Sequence, residues 1–188
     1  MKSINFKLLT ENDLPLLHGW FQKPHIQQWY ARGENYTLNM IKEKYLPRIF
    51  NPESIPNFIV YADDTPIGYI QLYSVKDSLP DGITDYNHPL FDNFKPNEIA
   101  GIDLFIADEN YLKKGYATLT LTNFLKEYIQ GKFSLLVTDP LKSNKNAIQF
   151  FEKNGFKKFK HNSNNIEHEL MTLHIVPHVV DKKLNNIG

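Results

Sequence analysis

The sequence feature that most constrains the fold is a strand that runs into a basic, glycine-containing turn and then into a helix. Residues 101–107 are mostly apolar with Asp103 among them, and Lys113, Lys114 and Gly115 follow a short polar loop. Amide groups in the first turn of a helix have no intrahelical partner and face the positive end of the helix dipole. Residues 114–118 are therefore predicted to bind an anionic group, with Asp103 upstream where chemistry on that ligand would take place.

The length and composition fit one domain that needs no disulfide or metal for its stability. The chain has 188 residues, and we expect residues 1–176 to form the domain and residues 177–188 a loosely ordered tail. Cysteine is absent, which excludes disulfides, thiolate nucleophiles and cysteine-ligated zinc. No apolar stretch reaches the length of a signal peptide or a membrane span, so the chain is predicted to be cytoplasmic.

The charge is balanced overall but not along the chain. Acidic and basic residues number 21 each, which argues against general nucleic-acid binding. Residues 76–109, however, contain many acidic residues and only two lysines, Lys76 and Lys95. This local excess favours a cationic substrate, although a solvated acidic loop would explain the same residues.

Periodicity and turn residues predict an α+β domain built on one mixed sheet. Apolar runs predict strands at residues 4–9, 58–62, 67–73, 99–107, 133–138, 156–161 and 167–175. Helical spacing and capping residues predict helices at residues 10–21, 25–30, 37–49, 114–130 and 143–153, with Pro47 expected to kink or end the third. Residues 74–97 show no period and are predicted to form a long loop.

Two segments carry a resemblance to a known superfamily. The turn at residues 113–117 and the segment 143–156 are similar to the acetyl-CoA-binding signature of the GNAT N-acetyltransferases. Further segments resemble the aminoglycoside 6'-N-acetyltransferases in order and spacing, namely residues 9–14, 25–29, 45–47, 66–69, 101–103 and 138–144. The resemblance extends from about residue 6 to residue 173.

The resemblance implies a GNAT-like sheet in which two parallel strands splay apart. The strand around Asp103 would separate from its neighbour near Thr138, and acetyl-CoA would enter the gap, with a strand amide near Phe105 facing the thioester carbonyl. The cofactor residues implied in this way are Phe105, Ile106, Lys113, Lys114, Gly115, Tyr116, Ala117, Thr118, Asn144 and Phe151. No metal is expected, because the histidines lack the spacing of metal ligands.

Acetyl transfer to a primary amine requires a base, since the pKa of such an amine lies near 10.4. By likeness to the subgroup, Asp103 is expected to accept the proton directly or through water. Asp139, at the end of the neighbouring strand, is expected to bind substrate ammonium groups, although a turn-capping Asp before Pro140 is an equal alternative. A turn-capping role cannot explain an acid within an apolar strand, which favours a functional role for Asp103.

Four further residues match positions that line the substrate site in the subgroup: Tyr30, Tyr45, Glu53 and Asp81. Each has a simpler explanation. The two tyrosines are compatible with helix packing alone, and the two acids with exposed loop positions. The expected partner is therefore a small cationic amine, and the sequence leaves open whether the chain is a monomer or a homodimer.

Two positions depart from the superfamily pattern. Leu112 stands where many members carry Arg or Gln, and Phe151 stands where a tyrosine usually protonates the CoA sulfur, which a phenyl ring cannot do. Three functions are therefore compatible with the sequence: acetyl transfer to a primary amine of an aminoglycoside-like polycation, acyl transfer to another small amine such as a siderophore hydroxylysine, and acyl-CoA sensing without turnover. Siderophore hydroxylysine acyltransferases typically carry a histidine where this chain has Asp103, which counts against the second function.

Overall fold

The computed structural model describes residues 3–53, 55–160 and 167–176. In the part of the chain that the structure describes, seven strands form one sheet in the order β1-β2-β3-β4-β5-β7-β6, in which β4 and β5 are the only parallel neighbours. The strands are β1 Ile4–Leu8, β2 Asn57–Ala62, β3 Thr65–Ser74, β4 Ile99–Ile106, β5 Leu135–Thr138, β6 Lys157–Lys158 and β7 Met171–His174. The predicted α+β class with one mixed sheet is confirmed. The predicted tail, residues 177–188, lies outside the described residues.

Five α-helices of the described residues flank the sheet: α1 Leu14–Phe21, α2 Pro24–Trp29, α3 Leu38–Phe50, α4 Tyr116–Phe124 and α5 Lys145–Lys153. Of the two effects expected of Pro47, a kink or an end of the helix, the second does not occur, because α3 continues to Phe50. Proline in a helix costs about 3 kcal/mol through one lost hydrogen bond and a clash. The buried Ile41 and Tyr45 hold this helix against the core in spite of that cost.

Several predicted boundaries differ from the observed ones. The predicted helix 114–130 consists of α4 followed by a π-helical turn, Leu125–Ile129. The predicted strand 156–161 is reduced to the two residues of β6, and His161 lies outside the described residues. The helix expected from residue 143 begins at Lys145, because Asn144 serves as its N-cap.

The two faces of the sheet are covered by different helices. On one face, β4 residues Ile102 and Ile106 join a core with Phe124 of α4 and Ile148 of α5. On the other face, Phe105 packs with residues of α1 and α3, among them Phe21 and Tyr45. Side chains alternate along a strand, so Asp103 lies on the same face as Phe105.

The long loop predicted at residues 74–97 is anchored to the domain. Its residues Val75, Ile83 and Leu90 are buried in a third apolar cluster together with Tyr73 and Ile99. This packing holds the acidic part of the loop, including Asp81, beside the end of the sheet.

Among the helices of the described residues, none is long and apolar enough to cross a membrane.

The parallel pair β4 and β5 separates partway along its length. Pairing is confined to Ile99 with Leu135, Ala100 with Leu136 and Gly101 with Val137. Strand β4 nevertheless continues to Ile106 and stays paired with β3 over that stretch. The sheet therefore contains an opening between β4 and β5, as expected for the splayed strand pair.

Candidate active site

A cleft of about 1150 Å³ passes through the opening between β4 and β5. At one end it is lined by the turn before α4 and by residues of α5, including Lys113, Gly115 and Phe151. At the other end it is lined by Tyr30, Asp81 and polar residues of the strands and of α3. The cleft thus has two openings, which suits a long cofactor and a second ligand that meet at β4.

The backbone of β4 presents alternate amides to the opening. The Ala107 N–H donates to the Ile67 carbonyl, and Val75 N–H donates to the Ile99 carbonyl, so odd-numbered β4 residues bond to β3. Opposing residues in an antiparallel pair alternate between bonded and non-bonded positions. The Phe105 amide is therefore engaged with Tyr69, its opposite residue, and does not face the opening.

This alternation corrects the expectation that the Phe105 amide contacts the thioester. The amides of Leu104 and Ile106 face the opening instead, since they lie between the β3-bonded positions. The carbonyl of Ile106 also points away from β3 and lies 3.1 Å from Nε2 of His25, which donates to it. The predicted cofactor residue Ile106 thus offers an amide to the opening, whereas Phe105 contributes its ring to the opposite core.

The turn before α4 has the geometry of an anion-binding helix terminus. Lys113 and Gly115 have positive φ angles of 56° and 84°, and Gly115 is the left-handed N-cap of α4. The first helical hydrogen bond runs from Leu119 N–H to the Gly115 carbonyl, so the amides of Ala117 and Thr118 precede it. These two amides point from the helix terminus toward the cleft, which both residues line.

Not every residue predicted for the turn reaches the cleft. Lys113, Gly115, Ala117 and Thr118 line it, whereas Lys114 and Tyr116 do not. The Tyr116 ring contacts Tyr111 edge to face, with 4.8 Å between ring centroids. A charge contribution to the site therefore comes from Lys113.

The predicted cofactor residues Asn144 and Phe151 also line the cleft. The Asn144 Oδ1 accepts from the Ala147 N–H at 3.1 Å and caps α5. Only its side-chain NH₂ remains as a donor for a ligand. Phe151 is 5% exposed and packs edge to face against Phe150 and Phe156.

Asp103 belongs to a buried polar network. The Gln71 Nε2 donates to Asp103 Oδ2, and the Gln71 Oε1 accepts from Arg48 Nη1 at 2.8 Å. The Tyr69 hydroxyl lies 2.9 Å from the same Oε1 and contacts Asn57 Oδ1. This arrangement fixes the side-chain amide of Gln71 with its donor group toward Asp103.

The protein environment favours the protonated form of Asp103 more than it is favoured in an aspartate exposed to water. Burial raises the pKa of Asp103, and the Asp81 charge raises it further. The hydrogen bond from Gln71 and the positive charges of Lys44 and Arg48 act in the opposite direction. A raised pKa makes this carboxylate a stronger base than an exposed aspartate.

Asp139 lies near Asp103 and Asp81. Its Oδ2 accepts from the Asp81 N–H, and its backbone carbonyl accepts from Nδ1 of His168 at 2.7 Å. Burial, with the negative charge of Asp103, raises the pKa of Asp139 to about 7. The side chain therefore contacts the acidic loop in addition to standing at the predicted turn before Pro140.

Ligand atoms of Asp81, Asp139 and His168 lie within 4.8 Å of one another, which is close enough for a shared cation. The Asp81 carboxylate, however, is paired with the guanidinium of Arg32. The Asp139 carboxylate accepts from the Asp81 amide, and His168 Nδ1 is directed at a carbonyl. The side chains of this cluster are therefore engaged with partners from the protein itself.

The remaining predicted substrate residues divide into two groups. Tyr30 and Asp81 line the cleft, and the Tyr30 ring lies 4.7 Å from that of Phe105. Tyr45 has no exposed surface and does not line the cleft, so the expectation that it contacts substrate is not supported. Glu53 is exposed and also lies outside the cleft lining.

Several residues that sequence reasoning did not identify lie at this end of the cleft: Arg32, Glu34, Lys44, Arg48, Gln71 and Tyr73. One of them had a usable signal. Gln71 is a polar residue within the apolar run of β3, and it faces Asp103 directly in the register. The three cations carried no comparable signal, because charged residues in turns and on the helices of a domain surface usually face solvent.

Comparisons with known proteins agree with this arrangement. The acetyltransferase (GNAT) domain profile matches residues 10–163. Aminoglycoside N(6')-acetyltransferases type 1 of Klebsiella pneumoniae and Serratia marcescens are each 32% identical over 159 residues, or 83% of this chain and 75% of the relative.

Solved structures of similar proteins cover nearly the whole chain. Aminoglycoside acetyltransferase AAC(6')-Ib with coenzyme A shares 30% identity and a TM-score of 0.72, over 92% of this chain and 95% of that chain. The same enzyme with paromomycin and acetyl-CoA gives 30% identity and a TM-score of 0.73, over 92% and 93%. The chain belongs to the GNAT acetyltransferase family and is a homologue of the aminoglycoside N(6')-acetyltransferases.

Proposed function

We propose that this protein transfers the acetyl group of acetyl-CoA to a primary amine of an aminoglycoside-like acceptor by direct transfer. The observation that carries the proposal is the position of Asp103, on β4 at the opening between the parallel strands, with a raised pKa and a fixed hydrogen-bond donor. The homologous enzymes act on aminoglycosides, and solved relatives hold CoA or acetyl-CoA together with an aminoglycoside. Because the acetyl donor is an intracellular metabolite, we place the reaction in the cytoplasm.

The residues present fit acetyl-CoA. The amides of Leu104 and Ile106 face the opening and can pair with an extended amide-containing arm as a neighbouring strand would. The α4 terminus, with the Ala117 and Thr118 amides, suits the pyrophosphate, and Lys113 adds a positive charge. When bound there, acetyl-CoA supplies an acetyl group activated as a thioester.

Asp103 is proposed to accept the proton of the acceptor ammonium, directly or through one water molecule. The freed amine then forms the new C–N bond as the C–S bond breaks, and the pair of electrons leaves on sulfur. Negative charge that develops on the acyl oxygen is stabilised by amides facing the opening. The nitrogen of the new amide loses its second proton to solvent water. Phe151 has no donor group, so the departing thiolate takes a proton from the same solvent.

Asp139, Asp81 and Tyr30 are proposed to bind the rest of the acceptor. The two carboxylates suit ammonium groups, and Tyr30 offers a ring and a hydroxyl beside Asp103. Asp139 is ionised in only part of the molecules at neutral pH, since its pKa is about 7. An ammonium group bound beside it lowers that pKa and secures the ionised form.

Thiol release from acetyl-CoA in the presence of kanamycin tests the proposal. Release that requires kanamycin, and that falls at least about 100-fold in Asp103→Asn, is expected for a general base. Asp77→Asn is the matched control, because Asp77 is exposed in the long loop and outside the cleft lining. Release that is equal in the two variants would contradict the role of Asp103.

The absence of a donor at Phe151 favours one alternative, a protein that binds acyl-CoA without turnover. Calorimetry with CoA distinguishes the two functions. Binding of CoA without thiol release for kanamycin or for other amines would support a sensor. Release that depends on the amine would exclude it.

A further inference from the structure

The acceptor end of the cleft carries positive charges of its own. Four acids line it together with three bases: Glu34, Asp81, Asp103, Asp139, Arg32, Lys44 and Arg48. The Asp81 carboxylate is paired with Arg32, and the positive charges of Lys44 and Arg48 act on Asp103. A site built to hold a fully polycationic ligand would leave its acids available to that ligand.

Arg32 is the outermost of these bases. It has a φ angle of 55° and is followed by Gly33 at 79°, in the turn between α2 and α3. Its guanidinium pairs with the Asp81 carboxylate. Burial lowers the pKa of Arg32, but Asp81, Asp139 and Asp103 outweigh that effect and raise it. Arg32 therefore interacts electrostatically with all three carboxylates that are proposed to contact the acceptor.

Lys44 fills an aromatic position in the same wall. Its Nζ lies 5.2 Å from the ring centroid of Tyr36, 5.6 Å from Tyr45, 5.9 Å from Tyr30 and 6.0 Å from Phe21. A ring of aromatic faces at such distances is a typical site for a ligand cation. Here the protein's own ammonium group already occupies it.

We infer that Arg32 and Lys44 are built-in counter-ions of the acceptor site, and that they select amino sugars with one or two ammonium groups over more highly charged aminoglycosides. This inference rests on the proposed acetyl transfer and names the acceptor class more narrowly. An ammonium group of a polycation that binds Asp81 must displace Arg32, and one that reaches the aromatic wall lies beside Lys44. An acceptor with few charges can place its reactive amine at Asp103 and avoid both.

Of the two residues, Arg32 is expected to contribute more to the selection between acceptors of different charge. Its pair with Asp81 is about half exposed, at 55% and 49% of the side-chain surface, so displacement is possible without disrupting the core. Pairs of this kind contribute at most about 1 kcal/mol, which corresponds to a change of about fivefold in binding. Lys44 lies deeper and its removal would disturb four aromatic contacts.

The test compares kcat/KM for kanamycin with that for the monoamine 6-amino-6-deoxyglucose, at low and at high ionic strength. Removing the charge in Arg32→Gln is expected to raise the kanamycin-to-monoamine ratio about fivefold at low salt, and less at high salt because screening weakens the new attraction. Arg32→Lys keeps the charge and is expected to keep the wild-type ratio. Lys42→Gln, on the exposed side of α3, is the control for loss of a nearby positive charge.

An unchanged ratio in Arg32→Gln, or the same increase in Lys42→Gln, would overturn the inference and leave the proposed reaction intact. If neither amine is acetylated by the wild-type protein, the proposed reaction fails. Calorimetry then still decides the charge inference, because kanamycin should bind Arg32→Gln about fivefold more tightly than the wild type at low salt. Equal binding by the two proteins would contradict it.

Discussion

The side-chain amide of Gln71 donates to the carboxylate of Asp103, and the two residues lie directly opposite each other on β3 and β4. The other end of that amide accepts from Arg48, which prevents the group from turning over. Gln71 is therefore a positioning residue for the proposed base. Gln71 orients the Asp103 carboxylate from β3, and it can do so without contacting the acceptor itself.

Gln71→Glu keeps an acceptor for Arg48 but replaces the donor to Asp103 with a negative charge. That charge raises the pKa of Asp103, so the acidic limb of the kcat/KM profile is expected to move to higher pH and activity at pH 7 to fall about tenfold. Gln28→Glu on the exposed side of α2 is the control. Reduced activity with an unmoved limb would indicate damage to the fold and contradict the positioning role.

Asp139→Asn should change stability in a manner that depends on pH. The pKa of Asp139 is about 7 in the folded protein and about 3.9 in an unfolded chain, so the folded state binds this proton more tightly. Between these values the wild type loses stability as pH rises, whereas the Asn variant has no proton to lose. The melting temperature of the variant relative to the wild type is expected to be higher at pH 8 than at pH 5.

The comparison at two pH values removes the direct effect of the substitution on packing. Asp77→Asn, in the exposed part of the long loop, is the control for removal of an acidic residue outside the cleft. A relative melting temperature of Asp139→Asn that falls from pH 5 to pH 8 would show that the folded protein prefers the ionised side chain.

Phe151→Tyr should raise kcat, because the new hydroxyl is placed in the cleft lining and can donate to the CoA thiolate. The increase shows in turnover with saturating acetyl-CoA and acceptor. Phe151→Leu controls for altered packing against Phe150 and Phe156. A rate in Phe151→Tyr that is unchanged or lower would mean that protonation of the leaving group is not limited by this position.

Gly101 is required by the ring of Tyr73, its opposite residue on β3. A Cβ atom at position 101 would lie 2.0 Å from the Cζ of Tyr73, so Gly101→Ala must displace a ring that lines the cleft. A loss of about 1–3 kcal/mol in the free energy of unfolding is expected from urea denaturation. In Tyr73→Leu the same Gly101→Ala substitution should cost clearly less, and an equal cost in both backgrounds would refute the proposed clash.

Local features of the site were predictable from the sequence. Gly115 after two lysines, ahead of an amphipathic segment, specifies a left-handed N-cap because few residues other than glycine adopt that conformation. Asp103 stood out as an acid in an apolar strand, and it does lie in the cleft. Both signals are contained within a few neighbouring residues.

Features that depend on pairing or on distant contacts were not predictable in this way. The Phe105 amide faces β3 and not the opening because the register with β3 decides which amides are used, and a sequence does not give that register. Tyr30 and Tyr45 look alike on their helices, yet only Tyr30 lines the cleft. The Arg32 pair with Asp81 joins residues far apart in sequence, which no periodicity indicates.

The separation of β4 from β5 connects this protein's lifetime to its cofactor. Within the described residues, the pairing of β4 with β5 ends at Gly101. An arm of acetyl-CoA laid in the opening would act as an added strand, and its binding energy would add to the free energy of folding. The cofactor-free protein is then the form that opens more often and is degraded sooner. In a cell short of acetyl-CoA, the amount of the enzyme would fall along with its substrate.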